Sequence, residues 1–118
     1  MKHTIKNNYE FRRLYQRGAS ASSPRMVLYC RKNRLGETRL GLTVSTKIGK
    51  AVRRNRIRRR FREIFRLNRS SIAEGCDIII VARTRALYSS YTQLDADFKY
   101  LAEKLGILKN EKDTYISD

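Results

Sequence analysis

Apolar positions along the chain fall into runs whose period switches between that of a helix and that of a strand. Within residues 8–17, Phe11, Leu14 and Tyr15 recur at i, i+3 and i+4. Asn7 with Glu10 three residues on marks a capped start, and Gly18 marks a stop, so the segment reads as a short helix. The Ala/Ser/Pro stretch 19–24 reads as a loop. Residues 25–31 (RMVLYCR) are β-rich, and 32–36 (KNRLG) carry turn chemistry. Residues 38–45 (TRLGLTVS) alternate Leu40, Leu42 and Val44 inward against Arg39, Thr43 and Ser45, the period of a half-buried strand. The two segments together predict an antiparallel hairpin. Residues 77–84 (DIIIVART) form a nearly continuous apolar run, which predicts a central strand covered on both faces. Over 91–105, Leu94, Phe98, Leu101, Ala102 and Leu105 keep helical spacing, with Ser90 and Gln93 as a capping box and Gly106 at the end. Residues 107–118 mix Lys, Glu, Asp and Asn without a period and predict a frayed tail. The predicted order is α, β, β, α, β, α, with room for one further short strand between the second strand and the second helix.

That second helix, over 51–67, changes the picture. At about 100° per residue, Ile57, Phe61, Ile64 and Phe65 share one arc wide enough to dock on a sheet. Asn55, Arg58, Arg59, Arg62 and Arg66 share another. Like charges at i, i+4 cost a few tenths of a kcal/mol per pair, so this ridge opposes folding unless an anion gathers on it. Guanidinium groups grip phosphate bidentately, and the Asn55 amide adds a directional donor and acceptor to a field of charge. A merely solvated face, with Asn55 as a helix-start residue, is the plainer alternative.

Composition strengthens the first reading. The 118 residues carry 27 Lys and Arg against 11 Asp and Glu, a formal charge of +16. Ten of those basic residues and a single acid fall within 47–66. With 41% hydrophobic residues, seven Tyr and four Phe, the chain has the makings of one folded domain over 1–118, with an ordered core of about 5–106. Such a charge calls for a polyanionic partner, nucleic acid foremost. A membrane is disfavoured, because no apolar run approaches the ~20 residues of a spanning helix. The N-terminus lacks the apolar core of a signal peptide. Cys30 and Cys76 lie far apart without metal-site spacing and read as buried thiols, which points to the cytoplasm. Phe11 and Tyr15, one turn apart, fit core packing; alternatively one or both line a groove where unpaired bases stack, and Tyr29 is equally open.

The segment 47–62, KIGKAVRRNRIRRRFR, resembles the signature of the bacterial ribonuclease P protein family, built on an Arg-Asn-Arg helix. The resemblance continues in the family's order through EFRRLY (10–15), MVLY (26–29), LGLTVS (40–45) and DIIIVAR (77–83), covering about residues 5–106. It implies an α+β fold, an α-β-β-β-α-β-α sandwich like one domain of ribosomal protein S5, with a left-handed βαβ crossover where the general rule is right-handed. It also implies two RNA surfaces. Arg53, Arg54, Asn55, Arg56, Arg58, Arg59, Arg62 and Arg66 would face the catalytic RNA subunit, while Phe11, Tyr15, Tyr29, Lys47 and Arg83 would line a cleft for the single-stranded 5′ leader of precursor tRNA. Two positions depart from the family pattern: Thr46 stands where Lys is usual, and Tyr15 where Phe is common. The first removes one phosphate contact; the second keeps a stacking ring.

Protein-based phosphodiester hydrolysis would want clustered carboxylates holding metals or paired histidines. His3 is the sole histidine, Asp95 and Asp97 diverge on a helix, and Glu111 and Asp113 sit in the tail. The resemblance assigns the chemistry to the RNA and its Mg²⁺ ions, with no metal in the protein and a monomeric protein in the absence of RNA. Two other classes share the charge pattern. A structural RNA-binding protein, such as a ribosomal component, would lack a leader cleft. A duplex-DNA binder would show a dimer seam or half-site geometry, and the sequence has neither.

Overall fold

The structure, a computed structural model, describes residues 4–109. Its elements in chain order are helix α1 (Asn8–Arg17), strands β1 (Ala19–Ser22), β2 (Met26–Lys32) and β3 (Arg39–Thr43), helix α2 (Ala51–Asn68), strand β4 (Cys76–Ala82) and helix α3 (Tyr91–Lys104). The α-β-β-β-α-β-α order is the one the resemblance implies, but the third strand, β1, stands before the two strands read from the sequence rather than after them.

One sheet, in the order β1-β2-β4-β3, separates α1 from the α2/α3 layer. As its apolar run predicts, β4 is central, antiparallel to β2 and parallel to β3. Ile78 and Ile80 point into the main core with Phe61, Ile64, Leu94 and Phe98, while Ile79 faces Ile5 and Leu14 on the α1 side. Each large side chain so buried contributes about 1.5–3 kcal/mol. Ser90 and Gln93 make the capping box of α3, and Gly106 closes it at φ 72°.

Three expectations fail for tertiary reasons. First, β2 and β3 are not a hairpin, because β4 lies between them. The six-residue link 33–38 wraps the start of β4. Asn33 donates its backbone N–H to Gly75 O at 2.7 Å and its side-chain amide to Asp77 at 2.8 Å, and the Thr38 hydroxyl donates to Ala73 O at 2.7 Å. Two strand spacings of about 4.8 Å are within the reach of that link. Second, residues 19–22 are not loop but an edge strand, despite weak β propensity, because β2 supplies a partner ladder (Ala19 opposite Cys30, Ser22 opposite Val27). Gly18 serves this pairing rather than a left-handed stop: its φ is −78°, and a Cβ there would stand 2.6 Å from Leu14 O and 2.9 Å from Cys30 O. Third, order runs past 106. Ile107 is buried, its carbonyl accepts from Ala73 N, and Lys109 N donates to Ser71 O, so this segment pairs with the turn after α2. Residues 110–118, with Glu111 and Asp113, and His3 lie outside the described residues.

Candidate nucleic-acid interface

Helix α2 docks on the core through Ile57, Phe61, Ile64 and Phe65, all buried. At about 1.5–3 kcal/mol each, these outweigh the three like-charge pairs 58/62, 59/62 and 62/66 at a few tenths apiece. Tertiary docking therefore holds a charged ridge that the isolated helix would not hold. On the ridge Asn55, Arg59, Arg62 and Arg66 are exposed and Arg58 is half-buried. Asn55 accepts from Arg58 Nη1 at 3.1 Å, which fixes that guanidinium's direction. Arg66 shares its guanidinium with Glu63 at 2.6 Å. The helix start adds to the field: Lys50, the N-cap, makes no side-chain hydrogen bond there, and the first turn holds no acid to offset the positive end of the dipole.

The Arg-Asn-Arg trio does not act as one face. Arg54 is half-buried and turns its Nε onto Gly49 O at 3.1 Å, staying behind the ridge. Arg56 and Arg53 project to the other flank, beside Tyr88.

On the opposite side of the sheet, Phe11, Tyr15 and Tyr29 form a file of rings. Phe11 and Tyr15 have centroids 6.4 Å apart, and Tyr15 meets Tyr29 edge-on at 4.9 Å. Phe11 and Tyr29 are half-buried, and Tyr15 is 38% exposed with its hydroxyl 2.6 Å from Thr43 Oγ1. The open choice between core and groove thus resolves by degree: Phe11 and Tyr29 rest on the second, smaller core, Tyr15 stands against their two rings, and each keeps part of its surface in solvent. Lys47, exposed, lies in the 3₁₀ turn after β3; Arg83, also exposed, follows β4 and donates to Ser23 O at 3.2 Å. The parallel pairing of β3 and β4 sets both beyond the same end of the sheet.

Three features behind this file escape a reading by period alone. Gly41 lets the Phe11 ring approach the sheet, since a Cβ there would be 2.9 Å from its Cζ; a glycine inside an alternating strand was the available signal. Thr43 orients Tyr15. Arg39 bridges Asp77 on β4 and Glu10 on α1, pinning the helix to the sheet, and those carboxylates, Asp77 first, raise its pKa above the ordinary guanidinium value. The two surfaces also meet: Arg58 and Arg62 of the ridge line a pocket of about 140 Å³ with Phe11, across the outer edge of β3.

The carboxylates weighed as catalysts are engaged elsewhere. Asp95 takes Asn68 and Lys99, while Asp97 takes Ser23 and Arg25. Among the described residues no group of three or more His, Cys, Asp or Glu is placed to hold a metal, and no helix is long and apolar enough to cross a membrane. Cys30 and Cys76 are free and buried, and burial raises both thiol pKa values.

The family model described as Ribonuclease P matches residues 1–106. The ribonuclease P protein component of Clostridium kluyveri is 43% identical over 107 residues, covering 89% of this chain and 96% of its own. Among solved structures, the Staphylococcus aureus RNase P protein superposes with a TM-score of 0.84 at 33% identity, covering 91% of this chain and 98% of that one. The Thermotoga maritima RNase P protein gives 0.76 at 30%, covering 82% and 92%. A basic α2 ridge, an aromatic file under α1 and a four-stranded sheet between them accompany a match that spans nearly all of the described residues: this protein belongs to the ribonuclease P protein family.

Proposed function

We propose that this chain is the protein subunit of ribonuclease P, binding the catalytic RNA subunit and the 5′ leader of precursor tRNA so that the assembled endoribonuclease releases the leader and leaves a mature 5′ end. The observation that carries this reading is the pocket shared by Phe11, Arg58 and Arg62, which makes the ridge and the aromatic file neighbours across the β3 edge. One RNA held on the ridge and one unpaired strand laid along the rings would then run side by side. In this reading the exposed and half-buried members of Arg53, Arg54, Asn55, Arg56, Arg58, Arg59, Arg62 and Arg66 take phosphates of the RNA subunit. Phe11, Tyr15 and Tyr29 stack leader bases, and Lys47 and Arg83 hold the strand's phosphates.

The cutting step belongs to the RNA and its Mg²⁺. The protein's part is to neutralise crowded phosphates, which lowers the Mg²⁺ needed, and to position the substrate. The protein works in the cytoplasm and is monomeric until it meets RNA. Reconstitution tests this: the purified chain is added to a bacterial ribonuclease P RNA with 5′-extended precursor tRNA at Mg²⁺ too dilute for the RNA alone. Cleavage at the mature 5′ end is expected; no gain over the RNA alone would refute the reading.

A further inference from the structure

Away from the ridge and the aromatic file lies a pocket of about 270 Å³ on the far flank of α2, walled by Arg53, Arg56 and Arg60, floored by Ile57, Ala86 and Leu87, and bordered by Tyr88. No acid lines it. Tyr88 is 77% exposed at the end of the 3₁₀ turn Thr84–Tyr88, and its ring has no partner among the described residues. An aromatic left so bare on a loop tip is ordinary when the tip is loose, but this turn is fastened. Ala86 is fully buried, the Ser89 hydroxyl donates to Arg85 O at 2.7 Å and accepts from Arg25 Nε at 3.0 Å, and Arg60 Nη1 donates to Ser89 O at 3.0 Å. Arg60 is thereby held half-buried beneath the ring's turn, leaving Arg53 and Arg56 exposed above it.

We propose that Tyr88 with Arg53 and Arg56 forms a stacking subsite for one unpaired nucleotide of the RNA subunit, its base against the Tyr88 ring over the apolar floor and its phosphate on the guanidinium groups. The inference rests on the reading of α2 as the RNA-subunit face. A continuous duplex cannot present a base face to a ring, whereas a bulged or looped nucleotide can. Guanidinium groups with no carboxylate among the pocket's lining leave their phosphate-binding capacity unspent. The 5′ leader is excluded as occupant by place: the pocket opens on the α2/α3 side of the sheet, and the Phe11–Tyr15–Tyr29 file is on the α1 side.

The test measures affinity of the full chain for a bacterial ribonuclease P RNA and, separately, of the reconstituted holoenzyme for precursor tRNA. Tyr88→Ala, Tyr88→Leu, Tyr88→Phe and the ridge variant Arg62→Ala are compared. Base stacking on an aromatic ring is worth about 1–3 kcal/mol, so Tyr88→Ala and Tyr88→Leu should weaken RNA-subunit binding by about 5- to 150-fold. Because no charge is removed, the slope of log affinity against log salt should stay that of the parent. Tyr88→Phe should bind as the parent does, and chemical probing should find one unpaired nucleotide exposed by Tyr88→Ala and covered again by Tyr88→Phe. Loss with Arg62→Ala but not with Tyr88→Ala would overturn this subsite and leave the ridge standing; no effect from either would overturn the ridge as well. Equal loss with Tyr88→Phe would overturn stacking in favour of the hydroxyl. Weakened precursor binding with an unchanged RNA-subunit affinity would assign the pocket to the wrong strand.

Discussion

Gly41 is the position where one methyl group should separate stability from leader recognition. A Cβ built there stands 2.9 Å from Phe11 Cζ, 3.0 Å from Phe11 Cε1 and 3.3 Å from Ile79 Cγ1. Carbon atoms prefer about 3.5–4.0 Å, so the Gly41→Ala variant must move something by about 0.5–1 Å. Ile79 is fully buried and cannot give, while Phe11, half-buried at the rim of the cleft, can swing outward. Overpacking of this kind costs about 1–3 kcal/mol, offset by about 0.4–1 kcal/mol because alanine narrows the unfolded ensemble and meets no backbone strain in the strand. The expected net destabilisation is thus about 1 kcal/mol, read as a lower urea midpoint at unchanged slope. The displaced ring should lose its stacking, so preference for precursor over mature tRNA should fall about 5-fold or more. Phe11→Leu should lose the same preference by itself and accept the new methyl, so the double variant Gly41→Ala/Phe11→Leu should recover stability without recovering discrimination, a coupling of about 0.5–3 kcal/mol. Additive stability losses, or full leader preference in Gly41→Ala, would refute the placement of Phe11 against Gly41 and in the cleft.

Tyr15→Phe should keep leader preference and lose no more than about 0.5–1.5 kcal/mol of stability, since it removes only the hydrogen bond to Thr43, whereas Tyr15→Ala should weaken precursor and spare mature tRNA; competitive binding of the two RNAs distinguishes them. Arg62→Gln should flatten the slope of log RNA-subunit affinity against log salt by about 0.7–0.9, and Arg66→Gln by less, because Glu63 already shares the Arg66 guanidinium; equal slopes for all would remove the ridge from the phosphate contacts. Burial alone would raise the Asp95 pKa, but hydrogen bonds from Lys99 and Asn68 outweigh it and hold it below the ordinary 3.8. A lowered folded value means that its stabilisation is present above about pH 4 and is lost as pH falls through the folded pKa; urea midpoints of Asp95→Asn should therefore decline less than the parent's between pH 5 and pH 3.

Much of this was legible in the chain. The bounds of α1, α2 and α3, the central place of β4 and the opposed apolar and basic faces of α2 follow from periodicity, because a helix or buried strand sorts its residues by local geometry alone. The basic ridge followed too, since five positions at spacings of three and four share a face whatever the helix packs against.

What the chain did not disclose is which elements become neighbours. The turn at 32–36 suits a hairpin, yet the link tethered by Asn33 and Thr38 carries β3 past β4, and only that exchange makes β3 an edge strand parallel to β4. Phe11 and Tyr15 have the same helical spacing whether sealed or open. Their half-exposure was decided by Gly41 beneath one ring and by Tyr29 and Thr43 beside the other, all distant in sequence. The joining of Phe11 to Arg58 and Arg62, and the splitting of Arg54 from Arg56, likewise depend on side-chain contacts between elements, and period, charge and propensity describe only the elements themselves.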